Sequence, residues 1–193
     1  MKPNDLPSHV FRGSGEQLQA LEFAYTRSPD QDAAAPVRRP IVIVGAGPVG
    51  LSAAIDLAQR GQPVLVLDND YRLSIGSRAL CFAKRALEIW DRLGVAQPMV
   101  DKGVSWNVGK VFFQDQPVYR FDLLPEEGHE RPAFINLQQY YCEAYLVERA
   151  LQLPNLEIRW HHGASAVAPR EYGALLSMDL NLDYTHLFKK PQQ

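Results

Sequence analysis

Cysteine is scarce in this chain. Cys81 and Cys142 are the two among 193 residues, and no paired or ligand-like spacing links them. Two reduced structural thiols in a cytoplasmic protein are therefore expected. Long apolar runs are missing as well: nothing approaches the roughly eighteen residues that a membrane span needs. The opening "MKPNDLPSHVFRGSGEQ" lacks the apolar core of a signal peptide. Nor does charge of one sign dominate. The formal net charge is -2, with no basic run for nucleic acid and no acidic tail. These absences exclude disulfide scaffolds, membrane spans and nucleic-acid binders, and predict a soluble chain with neither membrane nor nucleic-acid partners. What is present is a hydrophobic fraction of 46%, enough to bury a core. The length suits one domain of ordinary size, or one and a fraction.

Order is expected from Ile41 onward. Residues 1–39 read as an extension and linker: "SGEQLQALEFAY" suits a short helix with Leu18 and Leu21 on one side, and "SPDQDAAAPVRRP" suits a linker. "IVIVG" is a strand without alternation, so both faces are expected to be buried, as in a parallel sheet. "GPVGLSAAIDLAQRG" is a helix with Pro48 in its first turn and Gly61 at its C-terminal cap. "PVLVLD" is a second buried strand, and the three elements fit the roughly thirty residues of a βαβ unit. "SRALCFAKRALEIWDRLGV" predicts a second helix, with Leu80, Ala83, Leu87 and Trp90 at helical spacing and Gly94 ending it. Residues 105–123 predict a β-hairpin turning at Asp115–Gln116. A third helix, "QQYYCEAYLVERALQL", carries Cys142, Tyr145, Leu146, Ala150 and Leu153 on one stripe, and "NLEIRW" is a short alternating strand. After Trp160 no clear period remains, and no structure is predicted there.

Gly45, Gly47 and Gly50 form G-x-G-x-x-G between the first strand and the helix, and Asp68 closes the next strand. Alone the glycine pattern is common; its context carries the meaning. Gly45 permits a tight turn, Gly47 lets a pyrophosphate approach the backbone, and Gly50 lets helix and strand pack closely. The helix N-terminus then faces a phosphate, an interaction of roughly 0.3–1 kcal/mol, or about 2 in favourable geometry. Asp68 is placed to accept hydrogen bonds from a ribose hydroxyl and would repel a 2′-phosphate, so NADP fits this loop poorly. NAD and FAD both satisfy the pattern.

"VIVGAGPVGLSAAIDLAQRG", with its Pro48 and Gly50–Leu51, resembles the FAD-binding opening of flavin-dependent monooxygenases. "GSRALCFAKRALEIWDRLGV" is similar to a segment of their aromatic hydroxylase group, which includes the 4-hydroxybenzoate and 3-hydroxyphenylpropionate hydroxylases. "NLQQYYCEAYLVERAL" resembles that group's glutamine-started helix. The resemblance spans about Val37 to Trp160. It implies an α/β fold: a Rossmann-like βαβ FAD-binding core over 40–160, with a hairpin insertion near 105–123 that begins the substrate side. It implies that Gly45, Gly47, Pro48 and Gly50 hold the FAD pyrophosphate and Asp68 the adenosine ribose. Arg78 matches an arginine at the FAD phosphate and ribose region. Gln139, favoured over Gln138 because Glu143 and Leu146 then fall at the family's offsets, approaches the ribityl or phosphate side. The implied reaction hydroxylates a small phenolic substrate with O₂ and NAD(P)H.

The sequence departs from this family after Trp160. No Gly-Asp segment of the expected kind follows, and residues 161–193 match nothing the family predicts there. The expectation is a truncated FAD-binding portion, whose remainder a deletion, frameshift or early stop has replaced, with an open sheet edge that invites aggregation, a homo-oligomer or a complementing chain. Two alternatives stay open: another FAD- or NAD-dependent oxidoreductase, and a non-catalytic dinucleotide-binding remnant or partner-dependent subunit. The remaining constellations carry little. His161 and His162 are adjacent and would point to opposite faces of a strand, so no metal site is predicted. Ser165 and Ser177 lack a nucleophile-elbow context. Glu126, Glu127, His129 and Glu130 read as a solvated loop, Trp90 and Trp106 as core or subunit contacts, and Tyr140, Tyr141 and Tyr145 as helix packing. No residue is assigned as catalytic.

Overall fold

The computed structural model describes residues 22–73 and 79–180. The strands are β1 (Ile41–Val44), β2 (Val64–Leu67), β3 (Cys81–Ala83), β4 (Val104–Trp106), β5 (Val108–Phe113), β6 (Gln116–Asp122), β7 (Phe134–Asn136), β8 (Leu156–Arg159), β9 (His162–Arg170) and β10 (Gly173–Leu180). The helices are α1 (Pro48–Gln59), α2 (Lys84–Leu93), α3 (Ala96–Lys102) and α4 (Gln139–Leu151). None of the described helices is long and apolar enough to cross a membrane. The chain forms two compact units, one running to Leu73 and resuming at Ala150, the other spanning Ser74–Arg149.

In the first unit β1, β2 and β8 form a parallel sheet in the order β1-β2-β8. Ile41 stands opposite Val64 and Val44 opposite Leu67, while Leu67 also faces Arg159. The central strand β2 is buried at all four positions, as its unalternating "VLVL" predicts. β1 differs from expectation: it pairs on one side only among the described residues, its first three residues are half-buried and Val44 is 58% exposed. A strand with one neighbour lacks the cover that buries both faces.

Helix α1 lies against β1, β2 and β8. Leu51, Ala54, Ile55 and Ala58, spaced for one helical face, are buried; each large member contributes roughly 1.5–3 kcal/mol. Pro48 occupies the first turn, and beyond the C-cap Arg60 the chain reverses at Gly61 with φ +79°. Asn155 Nδ2 donates to Ala58 O at 2.9 Å and Gln62 O at 2.7 Å, tying the last turn of the helix to the loop that follows it. After Trp160, where no structure was predicted, β9 and β10 form an antiparallel hairpin with a bulge at Ser177/Met178. Both strands are largely exposed, so burial imposes no alternation on their sequence, and Pro169 within β9 masks the signal further.

The second unit holds a three-stranded antiparallel sheet in the order β3-β7-β4. The predicted second helix is shorter than expected. Cys81–Ala83 pairs with Phe134–Asn136 as a strand, and the helix begins only at Lys84. Cross-strand pairing has overridden a helical period whose first members are Leu80 and Ala83. Leu87, Trp90 and Leu93 form the buried face of α2, and Gly94 ends it in the left-handed conformation at φ +83°. The β5–β6 hairpin turns at Gln114–Asp115, one residue earlier than predicted, with Gln114 at φ +50°. Ser105, expected in that hairpin, belongs to β4. In α4 burial is broader than the predicted stripe: Cys142, Leu146 and Ala150 are buried, and so are Tyr141, Ala144 and Val147, while Tyr145 is half-buried. Strand β7 and helix α3 have no counterpart in the sequence reading. The helix expected around Leu18 and Leu21 lies outside the described residues.

Candidate cofactor-binding site

The glycine loop bridges the end of β1 and the start of α1. Gly45 adopts φ +101°, a conformation that side chains resist, and its N–H donates to Leu67 O at 2.7 Å. Gly50 packs against this turn. A Cβ there would stand 2.0 Å from Gly45 O and 3.1 Å from its carbonyl carbon, so only glycine lets α1 approach so closely. Gly47 is different. It caps α1 in extended conformation, with φ -77° and ψ 180°, and a Cβ on it would meet nothing within 4 Å. Pro48 follows as the first helical residue, where its missing N–H costs no helical bond. No side chain caps this helix end, and Val49 is 85% exposed. The first-turn N–H groups, which lack helical partners, thus point with the positive end of the helix dipole toward open space.

Asp68 follows β2 and turns back onto this loop. Its Oδ2 accepts from Ala46 N at 2.6 Å, and its Oδ1 from Asp70 N at 2.8 Å. An ionised carboxylate offers about four acceptor positions, so both oxygens retain capacity for a ribose diol. Gly45, Gly47, Pro48, Gly50 and Asp68 are therefore brought together. Ala46, buried and supplying the N–H that holds Asp68, escaped the sequence reading because a backbone donor leaves no side-chain signal. Arg78 lies outside the described residues. Gln139 belongs to the second unit, where it opens α4 and donates through Nε2 to Glu143 Oε1 at 2.6 Å.

A family model described as "FAD binding domain" matches residues 38–174. The chain belongs to the FAD binding domain family. The match covers the glycine loop, Asp68 and Gln139, and runs past Trp160 into the β9–β10 hairpin. Relatives of this FAD binding domain are monooxygenases. It is 33% identical over 130 residues to 6-hydroxy-3-succinoylpyridine 3-monooxygenase HspB of Pseudomonas putida, which covers 64% of this chain and 32% of that protein. It is 27% identical over 129 residues to para-nitrophenol 4-monooxygenase of a Pseudomonas species, 66% of this chain and 32% of that one. The crystal structure of p-nitrophenol 4-monooxygenase PnpA from Pseudomonas putida DLL-E4 superposes with a TM-score of 0.68 at 25% identity, over 74% of this chain and 36% of that chain. The flavin-dependent monooxygenase PieE, solved with FAD and substrate, gives 0.66 at 25% identity over 77% and 28%. The FAD binding domain thus spans about a third of the length of these curated relatives.

Other candidates resolve into packing. His161 Nε2 lies 2.7 Å from Phe23 O, and His162 Nδ1 lies 2.7 Å from Trp160 O. Among the described residues no group of three or more metal-ligating side chains gathers. Trp90 is buried and meets Phe82 edge-on at 5.2 Å, and Trp106 stacks on Phe134 at 5.3 Å. Tyr140 packs on Tyr141 at 4.6 Å, and burial pushes its hydroxyl pKa up. An open cleft of about 400 Å³ in the second unit is walled by Trp106, His129 and Arg131. Its Arg131 is held by Asp91 and Gln97, and His129 by Lys84, so these groups already have protein partners.

Proposed function

We propose that this chain supplies the dinucleotide-cradling portion of a flavin-dependent monooxygenase that hydroxylates a small phenolic substrate, with NAD(P)H as electron donor. Gly45, Gly47, Pro48 and Gly50 form the bed for the FAD pyrophosphate, and the N–H groups at the start of α1 donate to it. Asp68 accepts from the adenosine ribose. Arg78 and Gln139 serve the phosphate and ribityl side. The bound flavin supplies the redox chemistry. The residues of this chain bind and orient it.

The observation that carries this reading is the contrast between Gly50 and Gly47. One is closed against the backbone of Gly45 and the other opens onto free space beside an uncapped helix end. The open space leaves room for an anion, and the family match supports FAD as the dinucleotide. The test is to incubate the purified chain with FAD, desalt it, and read visible flavin absorbance in the eluted protein. Retained flavin that is lost in Asp68→Ala and Gly47→Val is the expected result. A compact wild-type chain that keeps no flavin overturns the reading.

A second reading, a subunit active only with a complementing chain, is favoured by β1, whose outer edge has no partner among the described residues. NAD(P)H oxidation by the pure flavin-loaded chain speaks against it. Oxidation that appears only on adding the complementing chain supports it.

A further inference from the structure

The family match begins at residue 38, yet the residues before it are closely fitted to the acid loop that follows β2. Phe23 is 6% exposed and stacks face to face on Trp160, with ring centroids 4.1 Å apart and planes 2° apart. Its N–H donates to Tyr71 O at 2.7 Å, and Glu22 bridges to Arg72. Farther along, Ser28 and Gln31 form a reciprocal capping box around a 3-10 turn at Pro29–Asp32. Asp30 then receives two guanidinium groups, Arg39 at 2.8 Å and Arg159 at 2.9 Å. The segment is thus fastened at both ends.

His161 joins this segment to the acid loop. Its backbone has φ +67°, left-handed for a residue with a side chain, a conformation that persists only where surroundings hold it. Two bonds do so: its N–H donates to Asp70 O at 3.0 Å, and its ring Nε2 donates to Phe23 O at 2.7 Å. The neighbouring backbone continues the grip, with Asp68 N donating to Arg159 O at 3.0 Å and His162 N to Asp68 O at 2.8 Å. The loop that carries Asp68 is therefore held by Arg159–His162 along one stretch and by Glu22–Phe23 along the next.

We infer that residues 22–39 form a strap that sets the acid loop Asp68–Leu73, with Phe23 and His161 as positioning residues for the adenosine end of the cofactor. This rests on the cofactor reading above and adds to it a segment that for the most part precedes the family match. The geometry restricts the strap's effect to the part of the ligand that Asp68 addresses. FAD and ADP share adenosine and pyrophosphate, so the strap must act on both alike.

The experiment measures FAD and ADP affinity of the full chain by titration calorimetry. It uses the wild type, Phe23→Ala, His161→Ala and His161→Gln, with circular dichroism confirming the fold. Loss of one buried hydrogen bond or ring contact corresponds to about tenfold in affinity. Both alanine variants are expected to weaken FAD and ADP by that factor and equally, and His161→Gln, which keeps a donor of similar reach, is expected to recover most of it. Amide hydrogen exchange on the wild type gives a test without any variant: saturating ADP is expected to slow the Phe23 and His161 amides. Wild-type affinity in both alanine variants, or unchanged exchange at those two amides, overturns the inference alone. A wild-type chain that binds neither ligand overturns the cofactor reading and the inference with it.

Discussion

The Asp68 carboxylate accepts the Ala46 backbone N–H at 2.6 Å, joining the end of one strand to the glycine loop at the end of its neighbour. The two ends are already in register, with Val44 opposite Leu67. The acid therefore has two tasks in the same place. It pins the glycine loop, and on the proposed reading it presents its remaining lone pairs to the ribose.

Asp68→Ala is expected to cost both tasks. Two backbone donors, Ala46 N and Asp70 N, lose a charged acceptor. Hydrogen bonds to charged groups are worth about 1.5–3 kcal/mol when made, so urea unfolding should show a loss of about 2 kcal/mol. FAD retention should fall more steeply than stability. Asp68→Asn keeps one carbonyl acceptor and is expected to fall between. Equal FAD affinity in all three proteins would remove Asp68 from the site.

The pair of Asp30 with Arg39 and Arg159 sets a pH dependence. Burial works against the Asp30 charge, but hydrogen bonds from both guanidinium groups outweigh it and hold the carboxyl below its ordinary value. A folded pKa below the unfolded one gives stability that is present above the unfolded value, about 3.9, and is lost as pH falls through the lower folded value. Acid unfolding followed by fluorescence should therefore show a limb below about pH 4 that flattens in Asp30→Asn. At neutral pH the same substitution should cost about 2 kcal/mol, since the Arg159 side chain, 4% exposed, would lose a charged partner.

What the sequence showed and what it hid have physical reasons. The glycine loop, α1 and β2 were legible because their constraints are local: a proline at the first helical position, a glycine after the last turn, four buried residues in a row. Cys81–Ala83 was misread because its partner strand, Phe134–Asn136, lies some fifty residues away and local period alone favoured helix. The β9–β10 hairpin stayed hidden because exposed strands carry no alternation. Ala46 was invisible because a backbone donor leaves no side-chain pattern, and the bonds of His161 were invisible because their acceptors, the Asp70 and Phe23 carbonyls, are backbone atoms remote in sequence.

The two thiols should separate cleanly. Cys81 is exposed on β3, and partial burial raises its pKa. Cys142 is buried in α4; desolvation pushes its thiol far up, and the nearby Glu143 charge adds to this. A thiol reagent should therefore modify one cysteine in the native protein, faster at alkaline pH as thiolate forms, and the second only in denaturant. Mass spectrometry that found Cys142 labelled at the native rate would mean that α4 opens far more often than its burial implies.

Gly47 and Gly50 offer the sharpest separation of binding from stability. A methyl at Gly50 would collide with Gly45 O at 2.0 Å, and backbone cannot swing away as a flexible side chain can. Overpacking of this kind costs about 1–3 kcal/mol or more, so Gly50→Ala should unfold at markedly lower urea and lose FAD with its fold. A methyl at Gly47 meets nothing within 4 Å, and its φ of -77° suits any residue. Gly47→Ala should therefore match the wild type in urea. Its methyl would nevertheless occupy the space from which a pyrophosphate approaches the start of α1. Unchanged unfolding with FAD affinity reduced about tenfold or more is the expected pair of results. Undiminished FAD binding in Gly47→Ala would place the phosphate elsewhere and leave the open helix end without a ligand.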